Sequence, residues 1–122
     1  MASSSSILVV DDDRDLVNLV ARILEEKGYL VAKAYDGNSA LELAKKISPD
    51  LILLDILMPN IDGYTICRRV KMDKNTKDIP VIMLTALRGE LNKQLAKDMG
   101  AEGYITKPFN SEDLLDTIAR FL

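Results

Sequence analysis

Ile7-Leu8-Val9-Val10-Asp11-Asp12-Asp13 is the stretch on which the fold turns: an apolar run rich in β-branched side chains ends abruptly in three acids. A run so short and so uniformly apolar suits a strand buried on both faces, as in a parallel sheet covered by helices. Leu16, Leu19, Val20, Ile23 and Leu24 then recur at helical spacing, with Gly28 as a C-terminal stop. Asp13 to Lys27 therefore reads as an amphipathic helix with those side chains inward.

Outward from there the same unit repeats. Leu30 to Ala34 is a weaker strand, followed by a helix from about Asn38 to Ile47 with Ala40, Leu41 and Ala44 inward and Pro49 just beyond. Leu51 to Leu54 is the third strand. Met58 and Pro59 break the chain, and a helix beginning near Gly63 uses Ile66, Cys67 and Val70 before the polar loop Met72 to Asp78. Pro80 opens the fourth strand, Val81 to Leu84. The fourth helix, near Glu90 to Met99 and ended by Gly100, has only a narrow stripe of Leu91, Leu95 and Met99, which predicts loose attachment. Tyr104 and Ile105 mark the fifth strand, and the last helix runs from about Ser111, capped by the Asn110-Ser111 pair, with Leu114, Leu115, Ile118 and Leu122 inward. Five such alternations predict an α/β domain: an open parallel sheet with helices on both faces, because parallel crossovers are right-handed and need covering helices.

Composition narrows the function. With 122 residues, 48% apolar and 29% charged, the chain fits one ordinary globular domain over residues 1–122. A net charge of -3 with no basic run argues against direct nucleic-acid binding. The Ser-rich start, residues 1–6, is expected to be flexible and lacks the basic and apolar parts of a signal peptide. Asp55 interrupts the longest apolar stretch, Leu51 to Met58, so no membrane span or membrane partner is expected. One cysteine and no histidine exclude an internal disulfide, the usual zinc sites and His-based triads. That points to the reducing cytoplasm and to carboxylates for any metal, with Cys67 a core side chain rather than a reactive thiol.

In a doubly wound sheet, ligands bind outside the carboxyl ends of the strands. Here strand one ends in Asp11-Asp12-Asp13, strand three in Asp55, strand four in Thr85 and strand five in Thr106-Lys107. Any one of these alone is well explained as a strand end or a helix cap, and Asp13 is read as a cap. Three carboxylates from neighbouring strands repel by several kcal/mol when partly desolvated, so something cationic must sit among them. Oxygen-only donors suit Mg²⁺, with Mn²⁺ the alternative.

At this point Asp11-Asp12, Asp55, Thr85 and Lys107-Pro108 together resemble the signature of response-regulator receiver domains. Thr85 follows Asp55 by 30 residues and Lys107 follows it by 52, and Met58-Pro59 and Gly63 also fall where that family has them. The resemblance covers nearly the whole chain, from Ile7 to the last helix. It implies the flavodoxin-like (βα)5 fold with strand order 2-1-3-4-5, and a signalling module that catalyses its own phosphorylation and dephosphorylation rather than an enzyme.

Carried over position by position, the resemblance makes Asp55 the nucleophile toward a phosphohistidine of a sensor histidine kinase or phosphotransfer protein. Asp12 would bind Mg²⁺ directly, Asp11 through a metal-bound water, and Asp55 and the Leu57 backbone carbonyl would complete the protein's ligands. The Thr85 hydroxyl and Ala86 N–H would bond the phosphoryl oxygens, and Lys107 would pair with them through a cis Lys107-Pro108 segment. Thr85 and Tyr104 would form the switch that alters the surface of the fourth helix, fifth strand and fifth helix, where an output domain, an effector protein or a second receiver binds. Leu57 and Leu87 would flank the path of hydrolytic water and tune dephosphorylation.

Three other classes fit less well. An aspartate-nucleophile phosphatase of the haloacid dehalogenase type needs an acid two residues after the nucleophile, where this chain has Leu57. An FMN carrier needs a hydroxyl- and glycine-rich loop where this chain has three acids. An interaction module that has lost phosphorylation would not need the intact site.

Overall fold

The computed structural model describes residues 4–122. Five strands and five helices alternate: β1 (Ser6–Val10), α1 (Arg14–Glu26), β2 (Leu30–Ala34), α2 (Gly37–Ile47), β3 (Leu51–Leu54), α3 (Gly63–Met72), β4 (Val81–Thr85), α4 (Glu90–Asp98), β5 (Gly103–Thr106) and α5 (Ser111–Arg120). The strands are parallel, in the order β2-β1-β3-β4-β5, as expected. Of the start expected to be flexible, residues 1–3 lie outside the described residues. Ser6 departs from that expectation: it belongs to β1, and its N–H donates to Asp50 Oδ2 at 2.7 Å.

Alternation along each strand sends side chains to two separate cores. Ile7, Val9, Leu51, Leu53, Ile82 and Leu84 pack with Val17, Val20 and Leu24 of α1 and Leu114 and Ile118 of α5. Leu8, Val10, Ile52, Leu54, Val81 and Met83 pack with Ala40 and Ala44 of α2, Ile66, Cys67 and Val70 of α3, and Ala96 of α4.

Four of the expected inward residues face water instead. Leu19 is 49% exposed, because α1 buries Val17, Val20, Ala21 and Leu24, and Leu19 lies roughly 200° around from Val17 at about 100° per residue. Leu91 and Leu95 are 88% and 41% exposed. At about 100° per residue, Leu91 and Leu95 lie roughly 140° and 100° around α4 from the buried Ala96, whereas Met99 lies only about 60° from it. The buried side of α4 is set by Ala96, flanked by the half-buried Asn92 and Met99. Leu122 is also exposed, since α5 stops at Arg120 and Phe121 packs in its place.

Helix starts differ in a way that matters below. Asp13, Asp36, Asp62 and Asn110 each accept an N–H from the first turn of α1, α2, α3 and α5, the usual saturation of orphan donors. The α4 start is Gly89, at φ +102°, with no side-chain cap. At the opposite end of the sheet, Lys71 Nζ donates to the Ile79 carbonyl at 2.5 Å and to Glu102 Oε2 at 2.7 Å, while Glu102 Oε1 accepts the Val81 N–H at 2.8 Å.

Two of these packings can be tested. A Cβ on Gly63 would collide with the Asp55 carbonyl oxygen and lie 2.6 Å from Ile56 Cα, both backbone atoms that cannot step aside. Gly63→Ala is therefore expected to lower unfolding free energy by about 1–3 kcal/mol, measured by urea titration; unchanged stability would contradict this close approach. Cys67 is fully buried, and burial pushes its thiol up to about 12, with Lys71 pulling weakly the other way. A thiol-reactive disulfide reagent at pH 8 should therefore label it only after denaturation.

Candidate phosphoryl site

The carboxyl edge of the sheet gathers the acids that the sequence singles out. Asp11 follows β1 and its N–H is held by the Ala34 carbonyl at 3.2 Å; Asp55 follows β3 and its N–H is held by the Val10 carbonyl at 3.0 Å. Both are buried, at 4% and 5% exposure, whereas Asp12 faces solvent. Carboxylate oxygens of Asp11, Asp12 and Asp55 all lie within 4.8 Å of one another.

Each buried carboxylate divides its oxygens between two tasks. Asp11 Oδ1 accepts the Asp13 N–H at 3.0 Å, and Asp55 Oδ1 accepts the Leu57 N–H at 3.2 Å. Their Oδ2 atoms converge on Lys107 Nζ, at 2.7 Å from Asp11 and 3.3 Å from Asp55. The cation that three clustered acids require is thus supplied in part by β5, and the cluster keeps two formal negative charges.

The electrostatics follow from burial and these contacts. Burial raises the Asp55 carboxyl above its ordinary range and the Asp11 charge raises it further; Lys107, the Thr85 hydroxyl and the Leu57 N–H oppose both. Burial alone would lower the Lys107 ammonium, but its bond to Asp11 and the charges of Asp55 and Asp11 outweigh that and hold it above its usual value. Lys107 remains a cation, and its charge offsets part of what burial and Asp11 do to Asp55.

Around this centre, Thr85 is fully buried, and its hydroxyl oxygen accepts the Leu87 N–H at 3.4 Å. The Thr85 carbonyl accepts the Lys107 N–H at 2.8 Å, and Lys107-Pro108 is cis, as the resemblance implied. Ala86 lies exposed beside Thr85. Leu57, 53% exposed, and the half-buried Leu87 line one open hollow of about 540 Å³ together with Asp12, Met58, Pro59 and Tyr64. Tyr104 is half-buried, and its hydroxyl donates to the Leu87 carbonyl at 2.7 Å. Asp13 stands apart as the α1 cap, its side chain accepting the Leu16 N–H at 3.1 Å.

Sequence reasoning passed over Arg88, Asn92 and Tyr64. Arg88 Nη2 donates to the Lys107 carbonyl at 3.0 Å, Asn92 Nδ2 to the Arg88 carbonyl at 2.9 Å, and the Tyr64 hydroxyl to Asn92 Oδ1 at 2.9 Å. These are contacts between segments distant in sequence or made to backbone atoms, and no residue pattern announces them.

Comparison with known proteins agrees with this geometry. The family model for the response regulator receiver domain matches residues 7–119. The DNA-binding dual master transcriptional regulator RpaA of Synechocystis is 45% identical over 116 residues, covering 95% of this chain and 48% of that protein. The chain thus spans about half the length of this curated relative. Among solved structures, the chemotaxis protein CheY4 of Vibrio cholerae superposes with a TM-score of 0.93 at 38% identity, covering 98% of this chain and 99% of that one. The signal receiver domain of a signal transduction histidine kinase from Syntrophus aciditrophicus gives 0.89 at 35% identity, covering 98% and 90%. A match over nearly the full length, on a sheet of the same order with its acids and lysine at one edge, makes this chain a member of the response regulator receiver domain family of two-component systems.

Proposed function

We propose that the domain accepts a phosphoryl group on Asp55 from the phosphohistidine of a sensor histidine kinase or phosphotransfer protein. The observation that carries this reading is the convergence of Asp11 and Asp55 on Lys107 beside the exposed Asp12, at the sheet edge where ligands bind. An Asp55 oxygen attacks phosphorus; the O–P bond forms as the P–N bond breaks, and the imidazole leaves with that electron pair and is protonated from water. Lys107 pairs with the phosphoryl oxygens, and the Thr85 hydroxyl and Ala86 N–H bond them.

The donor set fits Mg²⁺, or Mn²⁺ in its place: every available atom is a hard oxygen, and a spread of 4.8 Å is close to the roughly 4.2 Å across an octahedral Mg²⁺ site. Asp12 and Asp55 would hold it directly, Asp11 through a water, and the Leu57 carbonyl would add a further oxygen. When bound, such a cation neutralises charge developing on the phosphoryl oxygens.

Output would pass through α4, β5 and α5. In the family manner, Thr85 moves toward the phosphate and Tyr104 turns inward; here Tyr104 is tied to the segment after Thr85 by its bond to the Leu87 carbonyl. The uncapped α4, with Leu91 and Leu95 in solvent, suits a surface that docks an output domain, an effector protein or a second receiver. The net charge of -3 favours protein over nucleic acid as the direct partner of these residues, and a cytoplasmic setting suits the single buried thiol. No helix among the described residues is long and apolar enough to cross a membrane.

Leu57 and Leu87 bear on the lifetime of the acyl phosphate. Both line the hollow beside Asp12, and neither side chain can donate or accept a hydrogen bond, so neither orients a hydrolytic water and both exclude solvent.

Two measurements test this reading. Acetyl phosphate with Mg²⁺ should add one hydroxylamine-labile phosphoryl group, seen by mass spectrometry, and Asp55→Ala or chelator should abolish it. Modification of Asp55→Ala at the parental rate would refute the mechanism. For lifetime, a positioned polar group contributes about 10²-fold or more, so Leu57→Asn combined with Leu87→Glu should shed phosphate at least several-fold faster than the parent at saturating Mg²⁺. Loss from the parent as fast as from the double variant would remove the leucines from the account.

A further inference from the structure

Both backbone groups of Lys107 are gripped by one short segment of the neighbouring strand and loop. Its N–H donates to the Thr85 carbonyl at 2.8 Å, and its carbonyl accepts from Arg88 Nη2 at 3.0 Å. Arg88 is exposed, and among the described residues no carboxylate pairs with it, so its directed bond is the one to the Lys107 carbonyl. The backbone from which it reaches is itself fixed. The Leu87 carbonyl accepts from Tyr104 at 2.7 Å, the Arg88 carbonyl accepts from Asn92 Nδ2 at 2.9 Å, and Asn92 Oδ1 accepts from Tyr64 at 2.9 Å. Side chains from α3, α4 and β5 therefore set the point from which the guanidinium spans to the loop after β5.

A lysine side chain has four rotatable carbons and no rigid fork, so the position of its ammonium depends on where its backbone is held. We propose that Arg88 is a positioning residue of the phosphoryl site: by binding the Lys107 carbonyl it fixes the backbone from which Lys107 Nζ reaches Asp11, Asp55 and the incoming phosphoryl group. The inference rests on the reading of Asp55 as phosphoryl acceptor. Arg88 touches no reacting atom and acts through Lys107. Because Thr85 holds the N–H and Arg88 the carbonyl of the same residue, a movement of Thr85 toward phosphate carries the lysine with it.

The test is a double-mutant cycle on the intact domain. Parent, Arg88→Ala, Lys107→Ala and the double variant are phosphorylated with acetyl phosphate at saturating Mg²⁺ over a range of donor concentrations, after thermal unfolding has checked that each is folded. Arg88→Ala should lower the maximal rate by roughly two- to tenfold, the span that one net hydrogen bond supplies, and Arg88→Lys should recover part of it. In the Lys107→Ala background the same change should add nothing. If Lys107→Ala is too slow to follow, fluorine NMR of bound beryllofluoride in the four proteins gives the same cycle as relative affinities. An equal loss in both backgrounds, a change only in apparent donor affinity, or no loss in the parent background overturns the proposal. A parent that takes up no phosphoryl group at Asp55 overturns the functional reading as well, whereas a modified parent with an additive cycle overturns the Arg88 assignment alone.

Discussion

The ammonium of Lys107 between the Oδ2 atoms of Asp11 and Asp55 is the interaction on which the carboxyl edge depends. Two carboxylates, each about 95% buried, could not ionise side by side unaided, and β5 answers them from the far side of β4. Removing one partner from such a buried group costs about 3–5 kcal/mol, a large part of the roughly 5–15 kcal/mol that holds a domain together. The residual negative charge is what the proposed binding of a divalent cation, and with it of a phosphoryl group, rests on. Stability and chemistry thus draw on the same three residues.

Polar ties, rather than apolar packing, connect this edge to α4. Ala96 is its only fully buried side chain, and its first turn lacks the side-chain oxygen that starts the other four helices. In place of a core it has directed bonds: Tyr104 to the Leu87 carbonyl, Asn92 to the Arg88 carbonyl, Tyr64 to Asn92. A net hydrogen bond contributes about 1 kcal/mol, so each favours the present arrangement and none alone locks it.

The strands and the site were legible because both are written locally. Apolar runs of four or five residues ending in Asp11, Asp55 and Thr85 announce buried parallel strands and, at the same time, what lies at their carboxyl ends. Helix faces were less legible. Leu19 fits an inward stripe by spacing while Val17 occupies the core, since a dense run of apolar residues offers more than one stripe within the angular tolerance of a helix. In α4 the interval of four led to Leu91 and Leu95, whereas the buried position is filled by Ala96, too small to stand out by hydrophobicity. Arg88 and Asn92 could not be read at all, because the Lys107 carbonyl and the Tyr64 hydroxyl that they meet are brought to them by tertiary structure.

The Lys71–Glu102 pairing at the other end of the sheet has a mechanical consequence. Lys71 binds Glu102 and the Ile79 carbonyl, and Glu102 in turn holds the Val81 N–H, so the last turn of α3, the entry to β4 and the entry to β5 are buckled together. Gly100, at φ +105°, lets the chain pass against the Lys71 stem, where a Cβ would lie 2.7 Å from Lys71 Cγ. The two strands are thereby joined by an ion pair at the end remote from Asp55, whereas single hydrogen bonds hold the chain entering α4 at the end beside it. Like a beam pinned near one end, α4 has its buried side chain, Ala96, in its last turn, which leaves the first turn, where Leu91 stands, farthest from that anchor.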